Sequence, residues 1–317
     1  MSANKTAATG PPWLDERIRR GDVILIDGAT GTELERRGVP MHGQVWCAVA
    51  TLSHPEVLRA VHEDYIRAGA EVIIANTFAS ARHALEPSGL GDQVAAANRN
   101  AVALALAARD CAATGPVCIA GSISDFTARN LDRSWLEPKR LRQTFDEQAG
   151  LLADAGAELI ALEMMQKPEI AVPAVEAAIA TGLPVWIGIS CRLHRDSGRL
   201  TLYDYGDRDL GELLEAVSDL GAGAFTVMHS KVDDTGAGIR AVREFWSGPL
   251  GAYPNAGHFV MPHWQFVDIT PPEEFLKRAR EWVDLGAQLI GGCCGLGVEH
   301  IAALRDGLPR AISAEKI

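Results

Sequence analysis

Short β-branched or apolar runs recur along the chain, at residues 23–26, 72–75, 117–120, 159–162, 185–189, 224–227, 249–252 and 289–291. A stretch of helical period separates each run from the next. The runs are almost continuously apolar, without strict alternation, which is what strands buried on both faces require. The pattern therefore predicts a parallel sheet with helices outside it. Eight such β/α units predict an α/β fold, a (β/α)8 TIM barrel, with the doubly wound open sheet as runner-up.

Helix boundaries support the same reading. Ser53-His54-Pro55-Glu56 and Thr270-Pro271-Pro272-Glu273 each offer a capping hydroxyl, an early proline and a glutamate ahead of an amphipathic stretch. Gly69, Gly156, Gly221 and Gly286 precede four of the apolar runs and are expected to end the helices before them. Residues 1–12 lack periodicity and read as a mobile lead-in, which leaves residues 13–317 as a single domain.

A chain of 317 residues with 47% hydrophobic content suits a barrel, and its net charge of -11 disfavours nucleic acid or an anionic membrane as a partner. A small molecule is the expected ligand. Without a membrane-length apolar run or a signal-type leader, the reading is cytoplasmic. The six cysteines, at 47, 111, 118, 191, 293 and 294, are then expected to be reduced. Cys47, Cys111 and Cys118 read as small core residues.

Barrel active sites lie at the C-terminal ends of the strands. The residues following the eight runs are Asp27-Gly28, Asn76-Thr77, Gly121-Ser122, Glu163, Ser190-Cys191, His229, Asn255 and Cys293-Cys294. Cys293 and Cys294, flanked by glycines, supply two of the ligands that zinc requires, or else pack at the rim as small hydrophobes. His229 is expected across the mouth, where it completes a His/Cys/Cys set with one position open, or serves as a hydrogen-bonded rim histidine. Cys191 is a possible further ligand, with an inert buried thiol as its alternative.

Asp27 heads a glycine-rich loop that matches neither the phosphate loop nor the dinucleotide fingerprint. It reads equally as a ligand for a substrate ammonium group and as a helix cap. Glu163 directly follows a buried strand, where a carboxylate rarely lacks a partner, and a substrate amino group or a structural arginine could supply it. Asn255 sits in a turn, with His258 and His263 as surface histidines of the same loop. Phe78, Trp135, Tyr203 and Trp264 are candidates to cage a cationic methyl group, or simply pack.

The stretches from Asp27 to Leu34, Tyr65 to Ala70 with Asn76-Thr77-Phe78, Ala120-Gly121-Ser122, Glu163, Tyr253 to Gly257 and Gly291-Gly292-Cys293-Cys294-Gly295 occur in this order. Together they resemble the homocysteine S-methyltransferase family over about residues 22–308. The resemblance implies a Zn²⁺-containing barrel that moves a methyl group from a sulfonium or quaternary ammonium donor to the thiol of homocysteine, giving methionine. The donor would be of the S-methylmethionine, S-adenosylmethionine or betaine type. It also implies that Asp27 and Glu163 bind the amino acid's ammonium group, and it adds Gly28, Asn76, Ser122 and Asn255 to the expected substrate-binding residues.

The chain departs from the family pattern around the pocket. Where the family typically has Gly-Val-Asn-Cys, with that cysteine as the third zinc ligand, Met228 and His229 stand at the Asn and Cys positions. Ser124-Asp125 replaces a frequent Gly-Pro, Met164-Met165 follow Glu163, and Leu296-Gly297-Val298 follow the last glycine of the cysteine motif. Three thiolates around zinc carry one net negative charge, whereas His/Cys/Cys is neutral and makes bound sulfur and bound water more acidic. A metal-dependent hydrolase or demethylase, a methyltransferase with another thiol acceptor and a non-catalytic binding barrel are the alternatives. The expected partners are a small thiol and a methyl donor, and a homo-oligomer is compatible with them.

Overall fold

The computed structural model describes residues 7–127 and 133–313. Eight parallel strands form one sheet: β1 (Ile24–Leu25), β2 (Val72–Ile74), β3 (Cys118–Ser124), β4 (Leu159–Met165), β5 (Val185–Ile189), β6 (Ala224–Lys231), β7 (Leu250–Asn255) and β8 (Ala287–Ile290). Neighbours in sequence are neighbours in the sheet, and β8 pairs with β1. Between β1 and β2 the ladder is completed by the parallel bridge Ile26 to Val72, with Asp27 N–H donating to the Val72 carbonyl at 3.0 Å. The sheet is thus a (β/α)8 barrel, and the open-sheet alternative falls away.

Side chains fill the barrel interior, among them Ile24, Val72, Ala120, Leu159, Trp186 and Leu289, all essentially inaccessible. A second apolar layer lies between the strands and the surrounding helices. All four glycines expected at helix ends adopt left-handed backbone, with φ between 90° and 113°. The expected capping hydroxyls do not cap. Ser53 lies in a helical turn of its own, Ala50–Ser53, and its Oγ donates back to the Val49 carbonyl at 3.0 Å, so the next helix starts at Pro55 without a side-chain cap. Similarly, the Pro272–Asp284 helix takes Pro271, not Thr270, at its N-cap.

Two further expectations change. Of the proposed mobile lead-in, residues 1–6 lie outside the described residues, while the segment that follows packs under the barrel. Thr9 is buried and its carbonyl accepts from Trp186 Nε1 at 2.7 Å. The Pro12–Arg19 helix then inserts Leu14 and Ile18 into the interior core. Burial of apolar surface orders a segment that has no secondary-structure signal of its own. Several strands also run past their apolar stretches, so Ser122, Glu163, His229 and Asn255 lie within strands and not after them.

Candidate metal centre

Glu163 and His229 occupy irregular places in the ladder. The β4–β5 register shifts between Leu162 and Met165, and the β6–β7 register shifts between Met228 and Lys231. Met164 (φ 53°) and His229 (φ 44°) both have left-handed backbone there. For residues with a Cβ this conformation costs on the order of 1–3 kcal/mol, and a bulge uses it to re-aim a side chain. At His229 the side chain is turned toward the end of β8, and Asn255 Nδ2 holds its carbonyl at 3.1 Å.

The cysteines arrive from the loop after β8. Gly292 N–H donates to the Asp27 carbonyl at 3.1 Å, Cys293 N–H to the Pro254 carbonyl at 2.7 Å, and the Cys294 carbonyl accepts from Ala256 N–H at 2.9 Å. Gly295 then turns with φ 84° where a Cβ would lie 2.0 Å from the Ala256 carbonyl oxygen, so only glycine fits. His229 Nδ1 lies 3.5 Å from Cys293 Sγ, and the two Sγ atoms are 3.9 Å apart.

Among the described residues, His229, Cys293 and Cys294 form the group that could hold a metal ion, with all ligand atoms within 4.8 Å of one another. Tetrahedral zinc at its usual bond lengths spaces two sulfurs by roughly 3.8 Å and a sulfur and an imidazole nitrogen by roughly 3.6 Å. The donor set fits the ion. Its electrostatics agree: the contact with Cys294, reinforced by His229, holds the Cys293 thiol well below the ordinary thiol range. Cys294 is pushed up by the same contact and by burial. Burial pulls the His229 imidazole down, but the neighbouring Cys293 outweighs it and leaves it raised.

The group opens into a cavity of about 480 Å³, within the range of small-molecule sites. Three carboxylates line it, Asp27, Glu163 and Asp204, against one guanidinium, Arg192. Burial pushes Asp27 well above the ordinary carboxylate range, although its Oδ2 accepts from Ile74 N–H at 2.9 Å. Glu163, which accepts from the Ser122 hydroxyl, is raised to about 7 by burial and by the charge of Cys293. Two buried carboxylates beside a thiolate lack a countercharge that a bound ammonium group would supply.

The other expected residues divide. Gly28 and Asn76 line the cavity, but the Asn76 amide is spent on the Cys47 carbonyl at 3.0 Å and Thr51 Oγ1 at 3.2 Å. Ser122 does not line the cavity and instead hydrogen-bonds the Glu163 carboxylate, which does. Asn255 stands behind His229 and does not line the cavity. Cys191 is not a ligand: its thiol packs near Gly238 and Val227, outside the barrel interior, and meets Ser230 Oγ at 3.6 Å. Cys111 is exposed, not core, and Cys47 borders the cavity.

Phe78, Tyr203 and Trp264 line the mouth as expected, whereas Trp135 is buried elsewhere with the Arg140 guanidinium 3.4 Å above its ring. The sequence reading missed Trp46, Phe126 and Phe259. Phe259 belongs to a hairpin, His258–Val260 with His263–Gln265, that follows β7 and stacks its ring on Trp264 at 6.2 Å. Alternation is confined to its second strand, His263-Trp264-Gln265, while the first runs Phe259-Val260-Met261 without a polar break, so the sequence carried no such signal for Phe259. His258 lines the cavity, and His263 Nδ1 lies 2.7 Å from Glu35 Oε1.

The family model described as Homocysteine S-methyltransferase matches residues 24–308. The chain belongs to this family. It is 29% identical to the homocysteine S-methyltransferase of Escherichia coli strain K12, over 91% of this chain and 96% of that one. It is likewise 29% identical to betaine–homocysteine S-methyltransferase 1 of Bos taurus, over 92% of this chain and 74% of the relative. Among solved structures, the metallated homocysteine methyltransferase MmuM from Escherichia coli superposes with a TM-score of 0.74 at 24% identity, covering 92% of this chain and 99% of that one. That likeness bears on the fold. Membership makes this chain a methyltransferase-family barrel. No helix among the described residues is long and apolar enough to cross a membrane.

Proposed function

We propose that the chain transfers a methyl group from a sulfonium or quaternary ammonium donor to the thiol of homocysteine, giving methionine, with Zn²⁺ held by His229, Cys293 and Cys294. The observation that carries this reading is that the His/Cys/Cys group and two uncompensated carboxylates, Asp27 and Glu163, open into one cavity. Zinc, when bound, makes a thiol acidic enough to be a thiolate at neutral pH and fixes where the sulfur lies.

The remaining work falls to the chain's own side chains. Glu163, steadied by Ser122, and Asp27 take the acceptor's ammonium group, whose positive charge offsets the cost of keeping them ionised while buried. The acceptor is thereby held at two ends, which fixes the direction in which its sulfur lone pair points. The aromatic mouth, including Trp46, Phe78 and Trp264, excludes water and faces the donor's positive charge with π surfaces. An S–CH₃ bond forms as the donor's C–S⁺ or C–N⁺ bond breaks. The bonding pair leaves with the donor, and the thiol proton is released to solvent.

A matrix of sulfonium and ammonium donors against thiol acceptors, with mass detection of the methylated thiol, tests the proposal. Methylated homocysteine is the expected product. Turnover of a donor in the absence of any thiol would overturn the proposal in favour of a hydrolase or demethylase.

A further inference from the structure

Ser124 ends β3, is 1% exposed and sits in register opposite Glu163. Two residues earlier on the same strand face, Ser122 hydrogen-bonds the Glu163 carboxylate. Successive serines on this face thus reach two different layers of the site. Ser122 serves the inner, charged end, and Ser124 serves the mouth.

The Ser124 hydroxyl is used in both directions. It donates to the Phe78 carbonyl at 2.6 Å and accepts from Phe126 N–H at 3.1 Å. Phe78 follows β2 and Phe126 follows β3, so one buried hydroxyl ties together two loops that have no ladder between them. Both rings line the cavity, with centroids 5.7 Å apart, and Trp46 meets Phe78 edge-on at 6.5 Å. Phe126 is held from its other side as well, by His83 Nε2 at 3.1 Å from its carbonyl. Its backbone is anchored at both polar atoms by side chains that do not line the cavity.

We infer that Ser124 is a positioning residue for methyl transfer, setting the Phe78–Phe126 wall against which the cationic methyl donor is held. This rests on the proposed function and deepens it. The acceptor's groups, Glu163, Asp27 and the metal ligands, have side-chain hydrogen bonds that do not involve the Ser124 hydroxyl, and the ladder pairing of Ser124 with Glu163 is through backbone that alanine keeps. Its effect is therefore confined to the donor.

The experiment is steady-state kinetics of Ser124→Ala, with each substrate varied in turn, alongside metal content. Donor KM is expected to rise about tenfold, as the hydrogen bond the buried hydroxyl donates to Phe78 and the one it accepts from Phe126 are both lost. Acceptor KM and the metal-to-protein ratio stay at wild-type values. In a Phe126→Leu background the same substitution adds little further, because both changes act on one wall. If Ser124→Ala does not fold, His83→Gln carries the test, since it releases Phe126 from outside the cavity and should raise donor KM in the same direction. Unchanged donor KM, an equal rise in both KM values, or full additivity with Phe126→Leu would overturn the inference alone. Absence of any methylated thiol from the wild-type protein would overturn the proposed function, and the inference with it.

Discussion

Asn255 Nδ2 donates to the carbonyl of His229 at 3.1 Å, joining the end of β7 to the one metal-ligand candidate with left-handed backbone. The bond steadies a conformation that costs energy by itself. Replacing Asn255 by Ala removes no ligand, yet metal affinity should fall about 10- to 100-fold, the usual effect of losing a group that orients a ligand. Competition with a chromogenic chelator measures this, and an unaltered affinity would show that the strand holds His229 unaided.

His229 itself decides whether the metal is retained. His229→Ala leaves two sulfurs, too few for a stable site, and protein purified without chelator should then carry little zinc. His229→Cys restores a third soft donor and should keep it. Atomic absorption on both variants and the wild type provides the comparison, and full zinc in the alanine variant would exclude His229 as a ligand.

Glu163→Gln keeps the shape and the Ser122 contact but removes the charge. A charge-assisted hydrogen bond to a bound ammonium group contributes about 1.5–3 kcal/mol, so kcat/KM for the amino-acid thiol should drop roughly 10- to 150-fold. A thiol acceptor without an amino group, such as 3-mercaptopropionate, should not discriminate between wild type and variant. Equal losses for both acceptors would refute the assignment.

His62 is fully buried on the helix Pro55–Ala68, and neither ring nitrogen has a hydrogen-bond partner. Burial pulls its pKa down to about 4, against an unfolded value of about 6.5. The unfolded chain therefore binds this proton first as pH falls, and stability is lost between about pH 6.5 and pH 4. From pH 7 to pH 5 the linkage amounts to about 2 kcal/mol. His62→Leu should be at least as stable as wild type at pH 7 and should lose less on acidification. Urea unfolding at both pH values would show it, and equal acid sensitivity in the two proteins would contradict this account.

The order of elements, the parallel barrel, the cysteine pair with His229, and the carboxylates Asp27 and Glu163 were legible in the sequence. They depend on local properties: runs that are apolar on both faces, glycines at helix ends, and polar residues placed directly after those runs. Whether Cys191 faces the pocket was not legible, because a continuously apolar strand carries no alternation to tell one face from the other. The tertiary structure placed that thiol outside the barrel interior, bulged β4 and β6 at Glu163 and His229, and ordered Thr9 against Trp186. It also brought Trp46, Phe126 and Phe259 to one mouth, although they lie in loops after three different strands. Barrel closure decides such meetings, since it sets distances between residues 64 or more positions apart, as for His229 and Cys293. No periodicity along the chain encodes a contact of that separation.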